Sequence, residues 1–252
     1  MSINGPLTGK SFVVVGGTGA IGSAAARALS AEGAVVHIAD RAPAIAERGA
    51  AVLDSLAHGG GLHDVDITST ASLQQLRDSL SAQCGGALNG LINASGFTKA
   101  IPHGDLDALT DAFIDEMLQV NWRAQFATVR ELAPLLKASG DGLVVSLSSI
   151  ASFTAVGSNI AYCAAKAGID VMTKALARVL APEVRVLAVS PGVVDTSFVP
   201  GRGADFSQKV ADATPLKRIA SADDIARAIA ACATHLTYST GHIIQVDGGR
   251  AL

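Results

Sequence analysis

The sequence predicts an α/β fold, a doubly wound parallel sheet of about seven strands with helices on both faces. Two patterns carry that expectation. Short β-branched runs alternate with alanine- and leucine-rich stretches of helical length along the whole chain. Those runs are nearly continuously apolar instead of alternating apolar and polar, as strands buried on both faces are.

Phe12-Val13-Val14-Val15 is the first strand, and it stops at glycines. A helix follows from about Ala20 to Glu32 and closes at Gly33. Val35 to Ala39 is the second strand, and the alanine-rich stretch from Pro43 to Leu56 is the second helix. Leu62 to Ile67 gives a third strand. Ser72 to Cys84 gives a third helix, amphipathic through Leu73, Leu76 and Leu80. Gly90-Leu91-Ile92-Asn93 is the fourth strand, and further strands fall at Leu143–Ser148, Val184–Ser190 and Ile243–Val246. With no Pro- or Ser-rich linker and no internal repeat, residues 1–252 are expected to form a single domain.

Composition narrows the function. Of 252 residues 49% are hydrophobic and 16% charged, which excludes disorder and predicts a well-buried core. A net charge of −3 leaves no electrostatic footprint for nucleic acid or an anionic membrane, and 4% aromatics argues against base-stacking platforms. Cys84, Cys163 and Cys232 are too far apart for a Cys-x-x-Cys metal pair and odd in number, so neither a metal site nor a disulfide framework is expected. The N-terminus has no basic region followed by an apolar run, and no stretch is long enough for a membrane span. A cytoplasmic location is the expectation.

The first glycine cluster carries chemistry. Gly17-Thr18-Gly19-Ala20-Ile21-Gly22, preceded by Gly16, fits Gly-x-Gly-x-x-Gly directly after a strand and opening a helix. That spacing allows a tight turn, close backbone approach to a pyrophosphate, and a helix N-terminus aimed at its charge. The expected fold is therefore Rossmann-like. Asp40 ends the second strand, eighteen residues beyond Gly22, where an acidic residue would hold the adenosine ribose hydroxyls. A carboxylate there accepts from a 2′-OH and repels a 2′-phosphate, which favours NAD over NADP. Arg41 beside it is the counterweight, since a guanidinium pairs well with phosphate.

A second motif lies at Tyr162-Cys163-Ala164-Ala165-Lys166, at the start of a predicted helix. Positions i and i+4 share a helix face, so phenol and ammonium project to one side. The ammonium stabilises phenolate and draws the tyrosine pKa down from its reference of about 10, making a usable general acid/base.

Together these residues resemble the short-chain dehydrogenase/reductases over about Lys10 to Gly249. Ser149 stands thirteen residues before Tyr162 at the end of a strand, where that family places a catalytic serine. Asn121 matches the family's helix asparagine, and Asn93-Ala94-Ser95-Gly96 its strand-four Asn-Ala-Gly element. Asp66-Ile67-Thr68 resembles the stretch that contacts adenine, and Pro191-Gly192-Val193-Val194-Asp195-Thr196 the segment that binds the nicotinamide carboxamide. Val246-Asp247-Gly248-Gly249 is similar to the C-terminal signature. Gly16, Gly19 and Gly22 also fit the spacing of a longer, epimerase-like branch; the short length and the C-terminal signature favour the short, single-domain branch.

The resemblance implies a hydride-transferring oxidoreductase acting on a secondary alcohol or ketone. In it Ser149 bonds the substrate oxygen, Tyr162 moves the proton, Lys166 supports the phenolate and binds the nicotinamide ribose, and Asn121 holds a proton-relaying water. The implied cofactor contacts are Gly16, Thr18, Gly19, Ala20, Ile21, Gly22, Asp40, Arg41, Asp66, Ile67, Asn93, Ala94, Ser95, Gly96, Tyr162, Lys166, Pro191, Gly192, Val194 and Thr196. The substrate loop falls at about Ser197 to Thr214, with Phe97, Ser152, Phe153, Val194 and Phe198 as pocket walls. A small alcohol, polyol, sugar or hydroxyacyl compound is the expected substrate. The alternatives are an NADPH-using reductase similar to 3-oxoacyl-carrier-protein reductases and a non-catalytic dinucleotide-binding regulator. Ser139-Gly140-Asp141 and Pro182-Glu183 stand where carrier-protein reductases keep arginines, and the intact Ser, Tyr and Lys argue against an idle regulator. A homotetramer or homodimer is expected, as in other members.

Overall fold

The computed structural model describes residues 5–199 and 205–252. Seven parallel strands form one sheet: β1 (Ser11–Val15), β2 (Val35–Asp40), β3 (Gly59–Asp64), β4 (Gly90–Asn93), β5 (Gly142–Leu147), β6 (Val184–Pro191) and β7 (Ile243–Val246), in the order β3-β2-β1-β4-β5-β6-β7. The doubly wound, Rossmann-like architecture is as the sequence predicts. Because the order reverses between β1 and β4, the loops leaving their carboxyl ends part and open a crevice there.

The pleat explains why the strands read as continuous apolar runs. Phe12 and Val14 of β1 face one core, with α1 (Ala20–Ala31), while Val13 and Val15 face the other. The first core continues through Ile38 and Ile92 to Ile225 and Ile229 of the helix Ala222–Thr234. Ala24, Ala25 and Ala26 bring α1 close to that helix, and Leu29 fills the space below them. On the opposite face, Leu73, Leu76 and Leu80 of α3 (Thr70–Gln83) pack with Leu132 and Leu136. Burying each such leucine contributes about 1.5–3 kcal/mol before entropy is counted.

Between α1 and α3, α2 runs as Ala42–Ala44, a π turn at Ile45–Gly49, and Ala50–Asp54. The helix α4 begins at Asp111–Leu118, widens into a π turn at Gln119–Arg123, and continues as Ala124–Ala138. Next come α5 (Ala151–Thr154), α6 (Ile160–Leu180), α7 (Phe206–Asp212) and α8 (Ala222–Thr234).

The third strand departs from expectation. It runs Gly59–Asp64 instead of Leu62–Ile67, with Val36 to Asp40 as partners. His37 explains the shift. A Cβ at Gly60 would lie 2.6 Å from the His37 Nε2 atom, so the glycine there lets the backbone pass that ring and pair with β2. Beyond Asp64 the chain turns away, and the Asp66 Oδ1 atom accepts from the Thr68 backbone N–H at 2.9 Å and the Thr68 hydroxyl at 2.7 Å.

Candidate active site

The crevice at the carboxyl ends of the strands is a cleft of about 1530 Å³. Its lining runs from Gly16, Thr18, Gly19, Ala20, Ile21, Gly22, Asp40 and Arg41, past Asp66 and Ile67, to Ser149, Tyr162 and Lys166. Motifs spread over most of the chain therefore meet on one surface.

At the β1–α1 turn the backbone itself is the binding element. Gly16 has φ +79°, and a Cβ there would lie 2.6 Å from the Ser95 backbone nitrogen, so the β1 and β4 loops touch. A Cβ on Gly22 would lie 2.1 Å from the Gly16 carbonyl oxygen, which fixes the first turn of α1 against the loop. Gly19 caps that helix without any side-chain hydrogen bond, leaving its first amides to meet an anion in the cleft. Asp40 stands at the edge of this turn. Its Oδ2 atom accepts from the Thr18 N–H at 3.1 Å and the Thr18 hydroxyl at 2.6 Å, and its Oδ1 from the Arg41 N–H at 2.9 Å. Arg48, unremarked in the sequence, also lines the cleft and donates to the Thr18 Oγ atom at 3.5 Å.

These features fit a nicotinamide dinucleotide. The glycine cradle and the open helix end suit its pyrophosphate. Farther along the cleft the Ser95 hydroxyl is buried with no protein partner, and both amide atoms of Asn93, two residues earlier at the end of β4, likewise lack one. Buried polar groups without partners are rare and commonly mark a place completed by a ligand or water.

The reactive end is built on α6. Asn159 caps that helix, its Oδ1 atom accepting from the Tyr162 N–H at 2.7 Å, and its amide nitrogen donates to the Lys99 carbonyl at 2.8 Å. One turn on, Lys166 is 3% exposed, and its Nζ atom donates to the Leu147 carbonyl at 2.7 Å. That ammonium lies 5.6 Å from the centre of the Tyr162 ring. Burial lowers the Lys166 pKa to about 8, and the nearby Asp170 charge opposes the drop. Ser149 follows β5, and its Oγ atom accepts from the Ala151 N–H at 3.2 Å, leaving its O–H to donate into the cleft. Pro191, Gly192, Val194 and Thr196 complete this end, with Phe97 and Phe198 as apolar walls; the Tyr162 and Phe198 rings lie 6.2 Å apart.

Four expected residues stand outside the cleft lining. Asn93, expected to touch the cofactor, is fully buried at the end of β4. Asn121 is fully buried in the π turn of α4, not on the cleft wall. Its amide nitrogen donates to the Phe97 carbonyl at 3.0 Å and the Met117 carbonyl at 3.2 Å, and its Oδ1 atom accepts from the Phe97 N–H at 3.2 Å. Its side chain thus ties the β4 loop to α4. Ser152 is not a pocket wall, because its hydroxyl turns to Asp170. Phe153 is 48% exposed and also stands outside the cleft lining, since the short helix α5 points it outward. Of the expected substrate loop, residues 200–204 lie outside the described residues, while Phe206 and Ala213 line the cleft. Among the described residues no group of three His, Cys, Asp or Glu side chains is placed to hold a metal ion, and no helix is long and apolar enough to cross a membrane.

Comparison with known proteins agrees with this geometry. A family model described as enoyl-(acyl carrier protein) reductase matches residues 16–251, which spans both the glycine turn and the Tyr162–Lys166 helix. The protein belongs to the short-chain dehydrogenase/reductase family. Within that family it is 35% identical over 245 residues, 95% of each chain, to a protein of Streptomyces violaceoruber named as ketoacyl reductase 2 of the granaticin polyketide synthase. It is 31% identical over 239 residues, 94% of each chain, to cis-4-hydroxycyclohexanecarboxylate dehydrogenase of Sinomonas cyclohexanicum. The NADPH-dependent 3-quinuclidinone reductase of Rhodotorula rubra superposes with a TM-score of 0.83 at 26% identity, covering 97% of this chain and 92% of that one. Like other members of the family, this short-chain dehydrogenase/reductase is an oxidoreductase that binds a nicotinamide cofactor.

Proposed function

We propose that the protein interconverts a secondary alcohol and a ketone with NAD, using Ser149, Tyr162 and Lys166. The observation that carries this reading is their convergence on one cleft, with Lys166 buried and directed past Tyr162 toward the Leu147 carbonyl. When bound, the nicotinamide ring accepts or supplies the hydride. Ser149 donates its hydroxyl hydrogen to the substrate oxygen, where negative charge grows. Tyr162 takes the proton from that oxygen in oxidation and returns it in reduction. Lys166 supports the phenolate electrostatically and holds the nicotinamide ribose with its remaining N–H groups. Asn121 sets the position of the Phe97 segment, one wall of the substrate space. The cofactor and substrate share one sheet within a single domain over residues 1–252.

Asp40 supports NAD. Its carboxylate borders the turn that Thr18 begins, where an adenosine 2′-OH would donate and a 2′-phosphate would be repelled. Arg41 and Arg48 on the same rim favour the second reading, an NADPH-using reductase; the Streptomyces relative is named as a ketoacyl reductase, and the Rhodotorula neighbour as NADPH-dependent. The apolar walls Phe97, Val194 and Phe198 suit a small alcohol, and the dehydrogenase of the hydroxycyclohexane acid lends that class support.

We also propose a homodimer or homotetramer assembled through α4 and α6. Trp122 packs on Gly168 yet remains 40% exposed, and Val171 of α6 is 67% exposed. Such apolar side chains on two long helices suit a helix-to-helix subunit contact. Elution of a stable monomer in gel filtration contradicts it.

The experiment is a cofactor titration followed by oxidation of cyclohexanol, mannitol, glucose and a 3-hydroxybutyryl thioester with NAD and with NADP. It is read at the reduced-nicotinamide absorbance. NAD-linked turnover of a panel member supports the reading, and a strong NADP preference overturns the role given to Asp40.

A further inference from the structure

Behind the cleft wall lies a carboxylate that the reaction as described does not use. The Ser148 hydroxyl donates to the Asp170 Oδ1 atom at 2.5 Å, and the Ser152 hydroxyl donates to its Oδ2 atom at 2.6 Å. The two serines stand on either side of Ser149 in the chain, so one carboxylate grips the reactive-serine segment from both ends. Asp170 lies one helical turn beyond Lys166 on α6, which places both residues on one face of that helix.

We propose that Asp170 is a positioning residue for the reaction of this cleft, fixing the Ser149 segment to the helix that carries Tyr162 and Lys166. This inference rests on the reading that Ser149, Tyr162 and Lys166 carry the reaction.

Three observations argue for it. Hydrogen bonds to a carboxylate are shorter and roughly twice as strong as neutral ones, so two of them hold a short segment firmly. The segment's backbone is already tied to the far strand: the Ser148 N–H donates to the Val189 carbonyl at 2.8 Å, and the Ile150 N–H to the Pro191 carbonyl at 3.0 Å. Those bonds fix the segment against β6, whereas Asp170 fixes it against α6, and Ser149 is thereby located from two directions. Finally, Asp170 is placed to act on Lys166 without capturing it. Among the described residues no carboxylate lies within ion-pair distance of Lys166, and the ammonium donates to Leu147 instead. Facing Lys166 are the Asp170 carboxylate from its own helix, the Tyr162 ring one turn earlier, and the Leu147 carbonyl from β5. Burial favours the neutral amine, and the Asp170 charge opposes it. A purely structural tie would locate the serines without any effect on the lysine.

The test uses the full chain with its lysines carbon-13-labelled at Cε, the Lys166 signal being identified by its loss in Lys166→Met. Asp170→Asn keeps the shape and removes the charge. It should remain folded, bind NADH within about threefold of wild type, and shift the Lys166 titration midpoint down by about one pH unit. With the best substrate of the panel, kcat should fall about 10- to 100-fold while KM changes less than about threefold, the pattern of a misplaced reacting group. The double variant Ser148→Ala/Ser152→Ala should lose kcat similarly and leave the Lys166 midpoint in place. It also serves as the positioning test if Asp170→Asn does not fold. An unchanged kcat in either variant, or an unchanged Lys166 midpoint in Asp170→Asn, overturns the proposal. Full turnover by Tyr162→Phe instead removes the underlying reading, and the Lys166 midpoint still reports on Asp170.

Discussion

The Lys166 ammonium donates to the carbonyl of Leu147, the last residue of β5, at 2.7 Å. This bond joins the helix of the reactive pair to the strand that leads into Ser149, and it holds a cation where little water reaches it. Holding a charge in such a place costs stability, which the proposed reaction explains. The folded-state pKa is lowered to about 8, so below that pH the buried cation opposes folding, and the penalty eases as pH rises from 8 toward the ordinary lysine value. Lys166→Met should therefore show an unchanged or higher Tm at pH 7 while turnover falls by about 100-fold or more. Thermal melting and steady-state kinetics on the same preparation check both halves.

Asp40 sets the second prediction. Its carboxylate is held by Thr18 and the Arg41 backbone at the rim of the glycine turn. Replacing it by serine removes the repulsion toward a 2′-phosphate and leaves Arg41 and Arg48 in place. Asp40→Ser should lower kcat/KM for NAD by about 10- to 100-fold and raise the NADP-to-NAD ratio, because charge-assisted bonds are replaced by neutral ones. Nucleotide titrations by fluorescence measure the same change without a substrate. An unchanged ratio contradicts the assignment.

The fold was legible because its signals are local. Runs such as Phe12–Val15 and Gly90–Asn93 have one periodicity, and the glycines after β1 have one geometric use. The limits of β3 were not, since they depend on how the Gly60 backbone passes the His37 ring on the neighbouring strand. In the site, Tyr162 and Lys166 follow the i, i+4 spacing of one helix face, whereas Ser149 is implied by the family resemblance. Asn121 was placed by pattern alone, and nothing in the sequence tells that its amide turns to Phe97. Ser152 and Phe153 sit one residue apart on α5, where a small rotation decides between wall and exterior. Asp170 carries one signal in the sequence, its place four residues after Lys166; its serine partners emerge only when α6 and β5 pack.

The histidine pair at the sheet edge gives a third prediction. The His37 Nδ1 atom lies 3.1 Å from the His63 Nε2 atom, and the Cys84 thiol lies 3.4 Å from the other His37 nitrogen. Burial, with His63 beside it, lowers the His37 pKa from 6.5 to about 4, and burial lowers His63 as well. The unfolded chain therefore binds protons that the folded one refuses between pH 6.5 and 4. Stability present above pH 6.5 is lost as pH falls through that window, and Tm should drop by about 5 °C across it. His37→Gln should flatten the slope. The Asp224 carboxyl, held well below the usual carboxylate range by Arg218, loses its contribution only in more acidic solution. Melting curves at half-unit steps of pH separate the two.

The proposed proton carrier is the Tyr162 hydroxyl, and the glycine turn and Asp40 at the far end of the cleft are expected to hold the nucleotide without that hydroxyl. Tyr162→Phe keeps the ring beside Phe198 and removes only the hydroxyl. Turnover of the best panel substrate, measured together with NADH affinity, should fall about 100- to 10,000-fold while affinity stays within about threefold. Full turnover by Tyr162→Phe with the cofactor still bound would contradict the account.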